Sequence, residues 1–282
     1  MGDGRDARRG PAVVGFLVMA RSNFRPPSSV LLGFESLGVF ERGVFSITGH
    51  QFVPKCANKE TAVLVLPGFT ASDRSTRPLR RVLRSKGYSV HGWGLGANVG
   101  PHPHVVDGLE RRLAELYGRY EAPVSVVGWS LGGIYARELA RTYSHQVRLV
   151  ITLGSPYRFR TGDRGHTSEL YDAFAPAHEP FPGRRIPEED RPPLAVPATS
   201  IYSRLDGIVR WEACIEPAGS TSENVEVIGT HTGLGFNVAA LYAIADRLNQ
   251  PLGTWKPFAP PLWLRHLFPR PSTGSRWSAG MA

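Results

Sequence analysis

The sequence predicts an α/β fold, a doubly wound and mostly parallel sheet with helices on both sides and a short lid insertion. Three observations support this prediction. Short apolar runs alternate with amphipathic segments through the middle of the chain, as in repeated βαβ units. The length of 282 residues suits one such domain with flanking extensions. One junction between an apolar run and an amphipathic segment carries a serine between two glycines, Gly128-Trp129-Ser130-Leu131-Gly132.

The predicted strands are short apolar runs, as expected for strands that are buried on both faces of a sheet. They cover residues 61–66, 88–93, 123–128, 147–153, 198–203 and 224–228. The predicted helices have apolar residues at helical spacing. They cover residues 78–86, 105–120, 131–143 and 238–248, with shorter helices near 30–40 and 168–174 and with Asn237 as a cap.

The alternation of strands and helices stops at two ends and at one internal stretch. Residues 1–26 are predicted to be a flexible leader, residues 27–258 the folded domain, and residues 259–282 a tail rich in proline and aromatic residues. Within the domain, residues from about 156 to 197 are rich in proline, glycine and charge, which indicates a lid. The apolar residues of the tail suit either packing onto the domain or contact with a lipid surface, and packing is the favoured interpretation.

The leader leaves two interpretations of the cellular compartment open. Arg5, Arg8 and Arg9 precede an apolar run over residues 11–20, which has the outline of a signal peptide. Acidic residues dilute the positive region and no clean cleavage site follows, so a leader on a cytoplasmic protein is favoured. The chain contains no run that approaches the roughly 18 apolar residues of a transmembrane helix.

Charge and cysteine content exclude several classes of protein. The formal net charge is +9, mostly from arginines that are spread along the chain without the interleaved aromatics of a nucleic-acid surface. No nucleic-acid partner is therefore predicted. Two cysteines, Cys56 and Cys214, are too few for a disulfide scaffold or a cysteine-built metal site, although one bridge stays open. The glycine-rich stretch 94–100 lacks the spacing of a dinucleotide loop and is interpreted as a loop that faces the active site.

Ser130 is the candidate nucleophile because its motif lies between a predicted strand and a predicted helix. A serine that attacks a substrate has to project from a sharp, strained turn. Bulky side chains two residues away on either side would collide in such a turn, which explains Gly128 and Gly132. The N-terminus of the following helix also points its backbone N–H groups at developing negative charge.

A serine hydroxyl needs a base, and the base needs an acid that orients it. His231 follows the last predicted strand within Gly229-Thr230-His231-Thr232-Gly233, at the carboxyl edge of the sheet. Asp206 follows the preceding strand, in a turn with Gly207. The order serine, acid, histidine is the order expected on a sheet of this kind. Two backbone N–H groups, those of Phe69 and Leu131, are the predicted donors to the oxyanion.

These segments resemble the α/β-hydrolase superfamily on its lipase and esterase side. The matching pieces span about residues 60 to 250. They are Leu66-Pro67-Gly68-Phe69, Gly128-Trp129-Ser130-Leu131-Gly132-Gly133, the stretch from Tyr202 to Val209, and the stretch from Gly229 to Leu234. The resemblance implies a Ser–Asp–His triad of Ser130, Asp206 and His231, a backbone oxyanion hole, and neither metal nor cofactor.

The resulting prediction is a serine-dependent hydrolase of carboxylic esters, whose substrate is a small-molecule or lipid ester. A thioesterase or an acyltransferase would use the same triad, and a catalytically silent ligand-binding protein could keep the same fold. Weak contact with a membrane surface and the oligomeric state stay open.

Overall fold

The computed structural model describes residues 25–38, 51–57, 62–159, 163–174, 186, 188–217 and 219–270. Several predicted segments lie outside these residues. They are the leader up to residue 24, residues 160–162, 175–185 and 187 of the predicted lid, and the tail from residue 271.

A parallel sheet forms the centre of the described structure. Its strands are β1 (Ala62–Leu66), β2 (Ser89–Gly92), β3 (Val124–Trp129), β4 (Val147–Leu153), β5 (Ala198–Tyr202) and β6 (Ser222–Glu226). Their order across the sheet is β2-β1-β3-β4-β5-β6, and each neighbouring pair is parallel. Each of these strands overlaps a predicted strand, so the prediction of a doubly wound parallel sheet is confirmed.

Helices connect the strands and cover both faces of the sheet. They are α1 (Ser29–Phe34), α2 (Asp73–Ser85), α3 (Pro103–Tyr120), α4 (Leu131–Thr142), α5 (Ser168–Phe174) and α6 (Val238–Leu248). Apolar residues of α2 and α6 pack with one face of the sheet, and those of α3 and α4 pack with the other. Successive residues of β1 alternate between the two clusters and all are buried, as expected for a strand covered on both faces.

Helix α2 begins five residues before the predicted start at Pro78. The prediction placed proline at the beginning of a helix, where its missing N–H costs least. In the structure the Ser72 side chain accepts a hydrogen bond from the first turn, and the Asp73 carboxylate accepts one from the backbone N–H of Trp93 (3.1 Å). These contacts hold the polar first turn against the end of β2, and Pro78 lies inside the helix.

The apolar core continues past the predicted domain boundary at residue 258. Phe258, Leu264 and Phe268 are each at most 3% exposed and belong to the cluster formed by α2, α6 and the sheet. The first part of the predicted tail therefore packs onto the domain, while Trp263 is 55% exposed. Among the helices of the described residues, none is both long and apolar enough to cross a membrane.

A buried cluster of charges ties the end of the predicted lid to α4. Arg137 on α4 forms ion pairs with Glu188 and Glu216, and all three side chains are almost fully buried. Its guanidinium also lies 4.0 Å from the ring centre of Tyr157, where the predicted lid begins. Moving one partner away would leave a buried charge uncompensated, which is costly. The cluster therefore holds residues 157 and 188 against α4.

Both cysteines are free thiols. Cys214 is fully buried, and burial raises the pKa of its thiol well above the usual range. The bridge that the sequence leaves open is not formed.

Candidate active site

A cavity of about 360 Å³ opens at the carboxyl ends of the strands. Its lining includes Phe69 and Thr70 from the loop after β1, Ser130 after β3, and His231 after β6. Strands β1 and β3 are neighbours in the sheet. From β1 the chain continues to β2 on one side of this pair, and from β3 it continues to β4 on the other side. Ligands in open α/β sheets bind at such a switch point, so the topology and the cavity indicate the same place.

Ser130 occupies a strained turn between β3 and α4. Its backbone has φ 52° and ψ −121°, a region that residues with a Cβ rarely adopt. A side chain at Gly128 would collide with the backbone of Gly132, and one at Gly132 would collide with the backbone carbonyl of Leu66. The sequence motif is therefore explained by close backbone approach. Such strain costs on the order of 1–3 kcal/mol and persists only where the surroundings impose it.

His231 lies in the loop after β6, and its ring contacts the predicted acid. Nδ1 of His231 is 2.6 Å from Oδ2 of Asp206, and both side chains are buried. The indole N–H of Trp129 donates a hydrogen bond to the His231 carbonyl oxygen at 3.1 Å, which joins the histidine loop to the turn at Ser130. The structure thus brings Ser130 and His231 to one cavity and Asp206 to the far side of the imidazole.

Asp206 lies in the turn after β5, and its two carboxylate oxygens have separate partners. Oδ1 accepts hydrogen bonds from the backbone N–H groups of Ile208 (2.9 Å) and Val209 (2.8 Å), while Oδ2 faces His231. Because Oδ1 is held by the backbone of its own turn, the carboxyl group cannot rotate freely. Oδ2 is therefore fixed in the direction of the imidazole.

The pKa of His231 is raised above its ordinary value by the balance of opposing effects. Burial of the ring is the largest single effect and lowers the pKa. The charge of Asp206, its hydrogen bond to the ring and the charge of Glu35 together outweigh burial. The surroundings therefore favour the imidazolium, which is the form that a general base takes on after removing a proton.

Of the two predicted oxyanion donors, Phe69 lines the cavity, and Leu131 directly follows Ser130, which also lines it. Leu131 is the first residue of α4, so its N–H lies at the positive end of the helix. In the loop after β1, the N–H groups of Thr70 and Ala71 donate to the carbonyl oxygens of Asn98 and Gly68. The N–H of Phe69 comes directly before these two bonded N–H groups in the chain and is the candidate second donor.

Asn98 holds this loop in place from the glycine-rich stretch 94–100. Its side-chain amide donates to the Pro67 carbonyl oxygen at 2.8 Å, and its backbone N–H donates to Ala71 at 2.7 Å. Its Oδ1 accepts a hydrogen bond from the hydroxyl of Tyr135 (3.0 Å), and the side chain is fully buried. The sequence places this stretch near the active site without indicating which residue in it matters.

We expect Asn98→Ala to lower kcat/KM for ester hydrolysis by about 10–100-fold, because a loop donor displaced by about 1 Å loses that much rate. Steady-state kinetics on protein that shows an intact thermal unfolding transition would measure the effect. Asn249→Ala is the matched control, since Asn249 also makes several hydrogen bonds but lies away from the cavity, at the end of α6. Equal kinetics for the two variants would contradict this role of Asn98.

Glu35 is a second residue at the site that the sequence does not single out. It belongs to a short 3₁₀-helix after α1, about 95 residues before Ser130, and its carboxylate accepts a hydrogen bond from the backbone N–H of His231 at 2.8 Å. No motif surrounds it in the sequence. Only the fold brings it to the histidine loop.

The comparisons with known proteins agree with this architecture. No family profile matches the chain. A carboxylesterase from Bacillus subtilis is 27% identical over 150 residues, which cover 49% of this chain and 57% of that protein. A pimeloyl-(acyl-carrier protein) methyl ester esterase from Aromatoleum aromaticum is 32% identical over 94 residues, which cover 26% of this chain and 38% of that protein. The matches thus span roughly half, or less, of each relative's length.

Among solved structures, lipase B from Aspergillus fumigatus superposes with a TM-score of 0.54 at 16% identity, covering 70% of this chain and 55% of that one. The parallel sheet, its strand order and the strained serine turn together define an α/β-hydrolase fold. The chain therefore has the fold of the α/β-hydrolases, and part of its sequence is similar to two esterases.

Proposed function

We propose that this protein is a serine hydrolase that cleaves carboxylic esters through an acyl-enzyme on Ser130. The observation that carries the proposal is the buried contact of 2.6 Å between His231 and Asp206, with His231 lining the same cavity as the strained Ser130. A histidine oriented by an acid beside a projecting serine is the arrangement that activates a hydroxyl as nucleophile.

The reaction proceeds in two acyl-transfer steps. In the first, Oγ of Ser130 attacks the ester carbonyl while Nε2 of His231 removes the hydroxyl proton. The imidazolium, stabilised by Asp206, then gives this proton to the leaving alcohol. The N–H groups of Phe69 and Leu131 donate hydrogen bonds to the oxyanion. In the second step water, deprotonated by His231, attacks the acyl-enzyme and releases the acid, and Ser130 recovers its proton.

The wall of the cavity suits an apolar substrate group. Phe69 lies edge-on to Tyr171 and Phe174 of α5, with ring centres 5.3 and 6.1 Å apart. Helix α5 falls within the predicted lid at residues 156–197, so this contact supports a lid that borders the acyl site. The names of the two curated relatives, both esterases, support the choice of a carboxylic ester.

A series of p-nitrophenyl esters from acetate to palmitate tests this function. We expect turnover with a distinct optimum of chain length, together with labelling of Ser130 by a fluorophosphonate, located by peptide mass spectrometry. Labelling without turnover would show a working triad with a different substrate class, and acyl thioesters and added alcohols would then be tried. Absence of both would favour a silent ligand-binding protein.

A further inference from the structure

The segment of residues 25–38, here called the strap, lies outside the sheet and crosses two of the loops that form the candidate active site. It consists of α1 and the 3₁₀-helix Glu35–Leu37. Its N-terminal part contacts the predicted lid, where Nε2 of His166 lies 2.9 Å from the Pro27 carbonyl oxygen. Its C-terminal part contacts the loops that carry the acid and the base.

The Glu35 carboxylate is the centre of these contacts. Oε1 accepts hydrogen bonds from the backbone N–H groups of Gly207 and His231, each at 2.8 Å. Oε2 accepts from the backbone N–H of Thr232 at 2.9 Å and from its hydroxyl at 2.9 Å. The Glu35 side chain thereby joins Gly207, which follows Asp206, to the loop of His231 and Thr232.

These bonds constrain the distance between Asp206 and His231, on which the proposed mechanism depends. Asp206 and His231 lie on separate loops, after β5 and β6, so their mutual position depends on how the loops are held together. Hydrogen bonds from backbone N–H groups to a carboxylate are about twice as strong as neutral ones. Since three N–H groups from both loops converge on one carboxylate, a shift of either loop would break at least one of these bonds.

We propose that Glu35 is a positioning residue that locks the acid turn and the base loop in the geometry of the triad and places a second negative charge near the imidazole. The inference rests on the proposed function of this site. Glu35 is not among the residues that line the cavity, so its effect passes through Asp206 and His231.

The charge of Glu35 acts in the same direction as the charge of Asp206. Both carboxylates raise the pKa of His231 against the effect of burial. A general base must be neutral to accept a proton, so activity rises with pH through the pKa of His231. Removal of the Glu35 charge is therefore expected to lower this pKa and to move the acidic limb of the pH profile to lower pH.

Two variants separate position from charge. Glu35→Gln keeps the size of the side chain but removes the charge and turns an amide N–H₂ toward the Thr232 N–H. Glu35→Asp keeps the charge on a side chain one carbon shorter, which cannot bond both loops as closely. We expect both to lower kcat by about 10–100-fold with little change in KM, and Glu35→Gln alone to move the acidic limb. Ser36→Ala is the neighbouring control, since the Ser36 hydroxyl donates to the Gly33 carbonyl oxygen within the strap itself.

The His231 ring titrated by NMR, assigned with a His231→Gln variant, gives a readout that needs no substrate. A lower His231 pKa in folded Glu35→Gln supports the inference, and an unchanged pKa together with unchanged kcat overturns it. The inference also fails if kcat falls only in Glu35 variants that no longer show a cooperative thermal unfolding transition. If Ser130→Ala keeps full turnover, the proposed function fails, while the NMR titration still decides the role of Glu35.

Discussion

Ser130→Ala is expected to reduce kcat for the best p-nitrophenyl ester by about 10⁶-fold, the loss seen when a serine nucleophile is removed from a complete triad. In the proposed mechanism the hydroxyl is the group that becomes acylated, and neither His231 nor the oxyanion donors can replace it. Residual hydrolysis of about 10³–10⁴-fold over water would come from binding and the oxyanion hole alone. Parallel rate measurements on wild type and variant, with labelling by a fluorophosphonate, would measure the effect.

The fold should tolerate this change, because alanine keeps the Cβ that already fits the strained turn. Ser85→Ala is a suitable control, since the Ser85 hydroxyl bonds to the Val82 carbonyl oxygen at the end of α2, away from the cavity. Turnover that survives Ser130→Ala at the level of the control would place the nucleophile elsewhere.

Asp206→Asn is expected to lower kcat by about 10³–10⁴-fold. The side-chain oxygen of the asparagine would still accept hydrogen bonds from the backbone N–H groups of Ile208 and Val209. Its amide N–H₂ would then face Nδ1 of His231 and select the tautomer whose proton lies on Nε2. That tautomer cannot accept the proton of Ser130, so the side chains would stay in place while the base is lost.

The same variant has an effect that the pH profile can show. Because the Asp206 carboxylate raises the pKa of His231, its removal should shift the acidic limb of the residual activity to lower pH. Asp246→Asn, on the far helix α6, is the matched control and should leave both kcat and the limb unchanged. A kcat for Asp206→Asn close to that of the control would mean that another group orients His231.

The sequence predicts well those parts of the fold that depend on residues close together in the chain, such as a short strand with both faces buried. Strand β1 is apolar at every position because both of its faces are covered, and it was predicted within one residue. The turn at Ser130 could be recognised because its glycines are required by backbone contacts close in sequence. The predicted catalytic residues Asp206 and His231 depend on the order of strands, and the structure does place them in contact.

Features that depend on distant partners could not be predicted. Residues 73–77 look unsuited to a helix before proline, and their helical form depends on the contact of Asp73 with Trp93. Phe268 looks like part of a tail until the core that receives it is known. Glu35 stands among exposed apolar residues, and the N–H groups that it binds come from positions 207 and 231–232.

The contact between Glu35 and His231 also has a consequence for how the chain folds. It closes a loop of 196 residues, longer than the separation of any two strands of the sheet. Contacts of such long range form late, because the chain entropy of closing them is recovered only when the intervening elements are already packed. A nascent or refolding chain should therefore acquire its sheet first and its ordered histidine loop last. The assembled site then marks completion of the fold, and a chain arrested at any earlier stage would have secondary structure without the proposed base in place.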